Sequence, residues 1–99
     1  MIDLNELNWK QTKTGKWLVL FYANYCGKCH RGIKVLQNAK LPSEVNLGRL
    51  NAMNNGGIAL KNKIEAVPTV LFLKNGKEIK RWKGIPTEEE LERSCDEEY

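Results

Sequence analysis

Cysteine is scarce in this 99-residue sequence, with only Cys26, Cys29 and Cys95. So low and odd a number excludes the disulfide framework of a small secreted scaffold. Histidine is scarcer still, and His30 stands alone. Long apolar runs are missing too: Trp17-Leu18-Val19-Leu20-Phe21-Tyr22-Ala23 stops at seven residues, far short of the ~20 needed to span a bilayer. No membrane association is expected. The start, Met1-Ile2-Asp3-Leu4-Asn5-Glu6, has neither the basic residues nor the apolar stretch of about 7–15 residues that marks a secretory signal, which points to a cytoplasmic protein. Acids are rare until the end. Residues 1–87 hold 15 Lys and Arg against 5 Asp and Glu, whereas residues 88–99 hold seven acids against Arg93. A basic body attracts nucleic acid or acidic proteins. Here the lysines are scattered without any nucleic-acid motif, so a solvated basic surface and no nucleic-acid partner are expected.

What is present suits one domain over residues 1–99, since a chain of this length has room for a single core. At 41% hydrophobic and 28% charged, the composition is that of an ordinary globular protein. Residues 4–12 read as a short, weakly amphipathic first helix through Leu4, Leu7 and Trp9. The apolar run from Trp17 to Ala23 has the length and aromatic content of a central strand buried on both faces. From Lys28 to about Lys40, apolar residues at Cys29, Gly32, Ile33, Val35, Leu36 and Ala39 follow helical spacing, and Pro42 ends that helix. Glu44 to Ala52 reads as a second strand. Asn54-Asn55-Gly56-Gly57 is a turn, and Ile58 to Ile64 a short helix. Two β-rich runs, Val67–Lys74 and Lys77–Lys83, flank Asn75-Gly76, the pair preferred in a type I′ hairpin turn. Thr87 followed by Glu90 forms a capping box for a last helix. The order (β)αβαβ(α)ββα requires a helical crossover between parallel strands in the first half and an antiparallel hairpin in the second. The expected fold class is α/β, a mixed sheet of four to five strands flanked by helices on both faces.

The chemistry gathers at Cys26-Gly27-Lys28-Cys29-His30. Cys-x-x-Cys is the spacing of a redox dithiol, and the same letters with histidine are the attachment motif of a c-type haem. Cys26 falls where the buried strand hands over to a helix. Free backbone N–H groups and the positive end of the helix dipole favour thiolate there, as does the positive charge of Lys28 with His30 and Arg31 nearby. Cys29 lies one turn on, within reach of a disulfide, and begins the apolar stripe. This gives an exposed, attacking Cys26 and a recessed, resolving Cys29.

Phe21-Tyr22-Ala23-Asn24-Tyr25-Cys26-Gly27-Lys28-Cys29 resembles the active-site segment of the thioredoxin family. Val67-Pro68-Thr69, the apolar strand after it, Lys74-Asn75-Gly76 and Gly84 resemble that family's second half. The resemblance runs in order over nearly the whole chain and implies the thioredoxin fold and thiol–disulfide exchange. It implies that Pro68 is a cis-proline facing the dithiol, with the Val67 backbone turned toward an incoming peptide. Tyr25, Gly27, Ala66, Val67, Gly84 and Ile85 would form the substrate-docking patch. The implied partners are disulfide-containing protein substrates and a separate reductase, with no cofactor or metal and a monomeric protein.

Besides Tyr22 and Tyr25 in place of tryptophans and Lys34 in place of a helix-kinking proline, three departures from the family pattern bear on the dithiol. Leu20 stands where a buried aspartate is usual behind the dithiol, and cannot move the proton of the recessed cysteine. Arg49 stands for a lysine near that aspartate, which would leave a positive charge beneath the site. Lys28 replaces the motif proline and favours thiolate, so the disulfide should be a stronger oxidant than in typical thioredoxin. Cys95 has no counterpart in the motif and reads as incidental, against the sharper reading of a regulatory disulfide.

Four rivals remain. Haem attachment requires export and an axial ligand. Zinc would need Cys26, Cys29, His30 and Cys95, although structural sites use two spaced ligand pairs. A glutaredoxin-like reductase would use glutathione. A binding module with this fold would not need its dithiol.

Overall fold

The apolar run that reads as a central strand is one. In the computed structural model, which describes residues 1–97, Lys16–Tyr22 forms β2, with Trp17 through Phe21 all buried. Before it lie β1 (Ile2–Leu4) and a 3-10 helix over Trp9–Lys13; after it come α1 (Gly27–Asn38), β3 (Val45–Asn51), α2 (Gly56–Lys61), β4 (Thr69–Lys74), β5 (Lys77–Lys83) and α3 (Glu88–Glu97). The strands form one sheet in the order β1-β3-β2-β4-β5. β3 runs parallel to both β1 and β2, while β4 is antiparallel to β2 and β5 to β4. The mixed α/β sheet and its hairpin are therefore as expected, with five strands.

Alternation along β2 divides the apolar interior. Trp17, Val19 and Phe21 pack with Leu4, Leu50, Ile58 and Leu71 on the face covered by α2 and the 3-10 helix. Leu18 and Leu20 pack with Leu36, Val70, Phe72, Leu91 and Cys95 on the face covered by α1 and α3. α1 comes so close to the segment after β5 that a side chain at Gly32 would overlap the Ile85 side chain, which would have to move aside.

The first-helix reading over residues 4–12 is corrected. Leu4 closes a three-residue strand whose partner is β3, more than forty residues on, and only Trp9–Lys13 is helical, as a 3-10 turn. The helical spacing of Leu4, Leu7 and Trp9 is misleading: Leu7 is 87% exposed. Other boundaries move by a few residues. In the hairpin, Asn75 and Gly76 have φ of 51° and 82°, the left-handed pair that a type I′ turn requires. Thr87 caps α3, its hydroxyl accepting the Glu90 N–H at 3.1 Å. The Arg81 guanidinium donates to the carbonyls of Asn62 and Lys63, where a cation suits the C-terminal end of α2.

Candidate active site

The parallel pairing of β2 and β3 forces α1 to begin at the C-terminal end of β2, and Cys26 sits at that junction as the N-cap of α1. Its sulfur accepts the backbone N–H of Cys29 at 3.2 Å, one of the donors that a helix start leaves without an intrahelical partner. Cys26 and Cys29 are joined as a disulfide with Cα atoms 5.2 Å apart. Cys26 is half-buried and Cys29 fully buried, an asymmetry that follows from Cys29 heading the inward stripe of α1.

A polar clamp, absent from the sequence reading, holds this loop. The buried Asn51, last residue of β3, donates through Nδ2 to Asn24 Oδ1 at 2.8 Å. Its own Oδ1 accepts the Met53 N–H at 3.0 Å. The Ala52 N–H also bonds the Tyr22 carbonyl at 2.8 Å. The loop carrying the dithiol is thus tied to the end of the neighbouring strand. Asn51 falls within the Glu44–Ala52 run that reads as a strand, so only burial identifies its role.

The Val67–Pro68 peptide bond is cis, as the resemblance implied, and Pro68 is buried with Val67 half-buried. Thr69 Oγ1 donates to the Ala66 carbonyl at 2.6 Å, fixing the segment that enters β4. An open groove of about 790 Å³ brings together Lys28, Ala66, Val67, Pro68, Gly84 and Ile85. Tyr25 and Gly27 do not line it; Tyr25 is 97% exposed on the dithiol loop. Arg31 and Lys83, which the sequence reading did not place in the docking patch, do line it.

Leu20 and Arg49 belong to one row across the whole sheet. Successive register partners are Asp3, Arg49, Leu20, Val70 and Trp82, so all five lie on the face covered by α1 and α3. Leu20 is fully buried among apolar side chains. Arg49 Nε bonds the Asp3 carboxylate at 2.5 Å, and its guanidinium lies 6.0 Å from the Tyr22 ring centre. That hydrogen bond holds the Asp3 carboxyl below its ordinary value and raises Arg49. The positive charge expected under the dithiol is therefore matched by an acid from β1, the strand that the helical reading overlooked.

Cys95 is fully buried beside Leu91 and Leu20 in the α1/α3 core. Burial pushes its thiol from 9.0 up to about 11. Among the described residues no three His, Cys, Asp or Glu side chains are grouped to hold a metal, and no helix is long and apolar enough to cross a membrane.

Comparison with known proteins agrees with this geometry. The family model described as Thioredoxin matches residues 2–97. Thioredoxin from Chlamydia pneumoniae is 34% identical over 80 residues, covering 79% of this chain and 78% of that protein. Thioredoxin Y, chloroplastic, from Oryza sativa subsp. japonica is 36% identical over 69 residues, covering 68% of this chain; the chain spans only 41% of that relative's length. The solved structure of a single-site mutant thioredoxin from Halobacterium salinarum superposes with a TM-score of 0.78 at 19% identity, covering 97% of this chain and 88% of that one. That likeness establishes the fold.

Proposed function

The chain belongs to the thioredoxin family, and from that premise we propose that its Cys26–Cys29 couple exchanges dithiol for disulfide with protein substrates. Thiol–disulfide oxidoreduction is the activity of the family's Cys-x-x-Cys pair. In the reduced protein Cys26 Sγ attacks one sulfur of a substrate disulfide. The substrate S–S bond breaks, its second sulfur leaves as thiolate and takes a proton, and a mixed disulfide forms. Cys29 then attacks Cys26 Sγ and expels the first substrate sulfur. The substrate has gained two electrons and two protons, and Cys26–Cys29 is oxidised. A separate reductase must return the two electrons.

The observation that carries this assignment is the Cys29 N–H donated to Cys26 Sγ at the start of α1. It is a preorganised donor for a thiolate, and it supports the reading of Cys26 as the nucleophile. Tyr25, Gly27, Val67, Pro68 and Gly84 supply the surface against which substrate lies. Lys28 favours the thiolate by its charge. Leu20 gives Cys29 no buried base, so its proton leaves by way of solvent or the departing thiolate. Arg49 acts only through its pair with Asp3. A monomer acting as one domain in the cytoplasm suits so few cysteines, one of them the buried Cys95.

Insulin reduction with dithiothreitol tests the assignment. Cys26→Ser should abolish turnover, whereas undiminished turnover would sink the exchange reading and favour a binding module. The reduction potential should lie above the roughly −270 mV typical of thioredoxin, and Lys28→Pro should lower it.

A further inference from the structure

The groove beside the dithiol carries charge of nearly one sign. Lys28, Arg31 and Val35 of α1 line it, as do Lys83 at the end of β5 and the apolar Val67, Pro68 and Ile85. Arg81 also borders it, but its guanidinium is engaged by Glu78 and by the end of α2. Lys28 and Arg31 have no hydrogen-bond or ion-pair partner among the described residues. The one acid of the groove, Glu65, stands 3.7 Å from Lys83, with both side chains over 70% exposed. So loose a pair yields readily to an incoming carboxylate.

We propose that this groove selects protein disulfides flanked by acidic residues. The inference rests on the exchange chemistry assigned above and names the substrate class for the same site. Charge complementarity determines the occupant: two unpartnered cations and a third only loosely held share the groove with Val67, Pro68 and Ile85. From Lys28 to Val35 the helix advances about 10 Å at ~1.5 Å per residue. That is the length of three extended residues at ~3.3 Å each. The groove therefore reads the first two or three residues on one side of the substrate cysteine. It asks for Asp or Glu opposite Arg31 and Lys83, with an aliphatic side chain against Val67 and Ile85.

The test uses the reduced full chain and three disulfide-linked peptides that differ only in their flanking residues: acidic, neutral or lysine. Second-order rates by stopped flow should favour the acidic over the neutral peptide by about two- to thirtyfold at low salt, as two or so exposed charge pairs allow. The ratio should fall toward one at 0.5 M salt, where the screening length is about 4 Å. The charge-reversed variant Arg31→Glu with Lys83→Glu should prefer the lysine peptide. An equal change in net charge at Lys74→Glu with Lys77→Glu, on the hairpin at the opposite end of the sheet, should leave the preference as it was. If the reversed variant does not fold, Arg31→Gln and the wild-type salt series carry the test.

Equal rates for all three peptides would overturn the proposal while leaving the exchange chemistry intact. So would loss of the preference in the hairpin variant, which would assign it to the general charge of the body. Glutathione disulfide outpacing the acidic peptide would also overturn it, because the site would then be one for a small anionic tripeptide. Failure to react with any peptide would instead overturn the exchange reading itself.

Discussion

Leu20 shows how a single position separates folding from chemistry. It lies at the centre of the row Asp3-Arg49-Leu20-Val70-Trp82, where the side chains around it are apolar and exclude water. A carboxylate introduced here loses its hydration and leaves a large apolar contact unfilled. Its only cationic neighbour in the row, Arg49, is already held by Asp3. Leu20→Asp is therefore expected to lower stability by about 3–5 kcal/mol, read as a lower urea midpoint with the slope unchanged. A loss under about 1 kcal/mol would mean that Arg49 releases Asp3 and turns inward. The sign of the effect on exchange is opposite. Where the variant stays folded, a base behind Cys29 should speed resolution of the mixed disulfide, so stability and turnover should move in different directions.

At the scale of elements, the dithiol depends on a junction that no single element supplies. β2 ends at Tyr22, α1 starts at Gly27, and the turn between them is anchored sideways to the end of β3 by the Asn51–Asn24 bond. Asn51→Ala removes a buried donor and acceptor and leaves the Met53 N–H without its bond. A cost of about 1–3 kcal/mol is expected, and a double-mutant cycle with Asn24→Ala should return a coupling of about 0.5–1.5 kcal/mol. A coupling near zero would show that the backbone bond from Ala52 to Tyr22 alone holds the loop. This junction also marks the boundary of what the sequence makes legible. β2, α1, the Asn75-Gly76 hairpin and the Thr87 cap carry their signals within one run of residues, and each is found close to where it was read. β1 carries no such signal, because three residues become a strand only through pairing with Gly48, Arg49 and Leu50. The same missing strand hid the partner of Arg49. The dithiol motif and Pro68 could be read as letters. The clamp role of Asn51 and the groove positions of Arg31 and Lys83 could not, because those surroundings come from distant parts of the chain.

For the whole molecule, pH should act through two opposite and separable limbs. On the acid side, Arg49 lowers Asp3 and Arg81 lowers Glu78 from their ordinary values of 3.8 and 4.5. A carboxyl whose folded value is depressed contributes stability above its unfolded value and loses it as pH falls through the folded one. Both pairs are partly exposed, and solvent screening holds each contribution to about 1 kcal/mol or less. The larger acid effect is collective. The net charge of +4 at pH 7 becomes +17 once all 12 acids are protonated, from the 16 Lys and Arg with His30. Self-repulsion then opposes the compact state. Added salt should accordingly restore stability at pH 3 while changing it little at pH 7. On the alkaline side the relevant group is Cys95. Its burial raises the thiol from 9.0 to about 11, so the unfolded chain releases a proton that the folded chain retains. Stability is full below pH 9 and falls as pH rises from 9 toward 11, by up to roughly 2–3 kcal/mol at ~1.36 kcal/mol per pH unit. This limb originates mainly in desolvation, with Asp96 a smaller contribution, and salt should change it little. Urea unfolding of the oxidised protein, in which Cys26 and Cys29 do not titrate, separates the two limbs. Cys95→Ala should flatten the fall between pH 9 and 10.5 and leave the acid limb as it was. If the wild type and Cys95→Ala lose stability in parallel above pH 9, the thiol is accessible to water in the folded state, and the packing of α3 against α1 is looser than its burial implies.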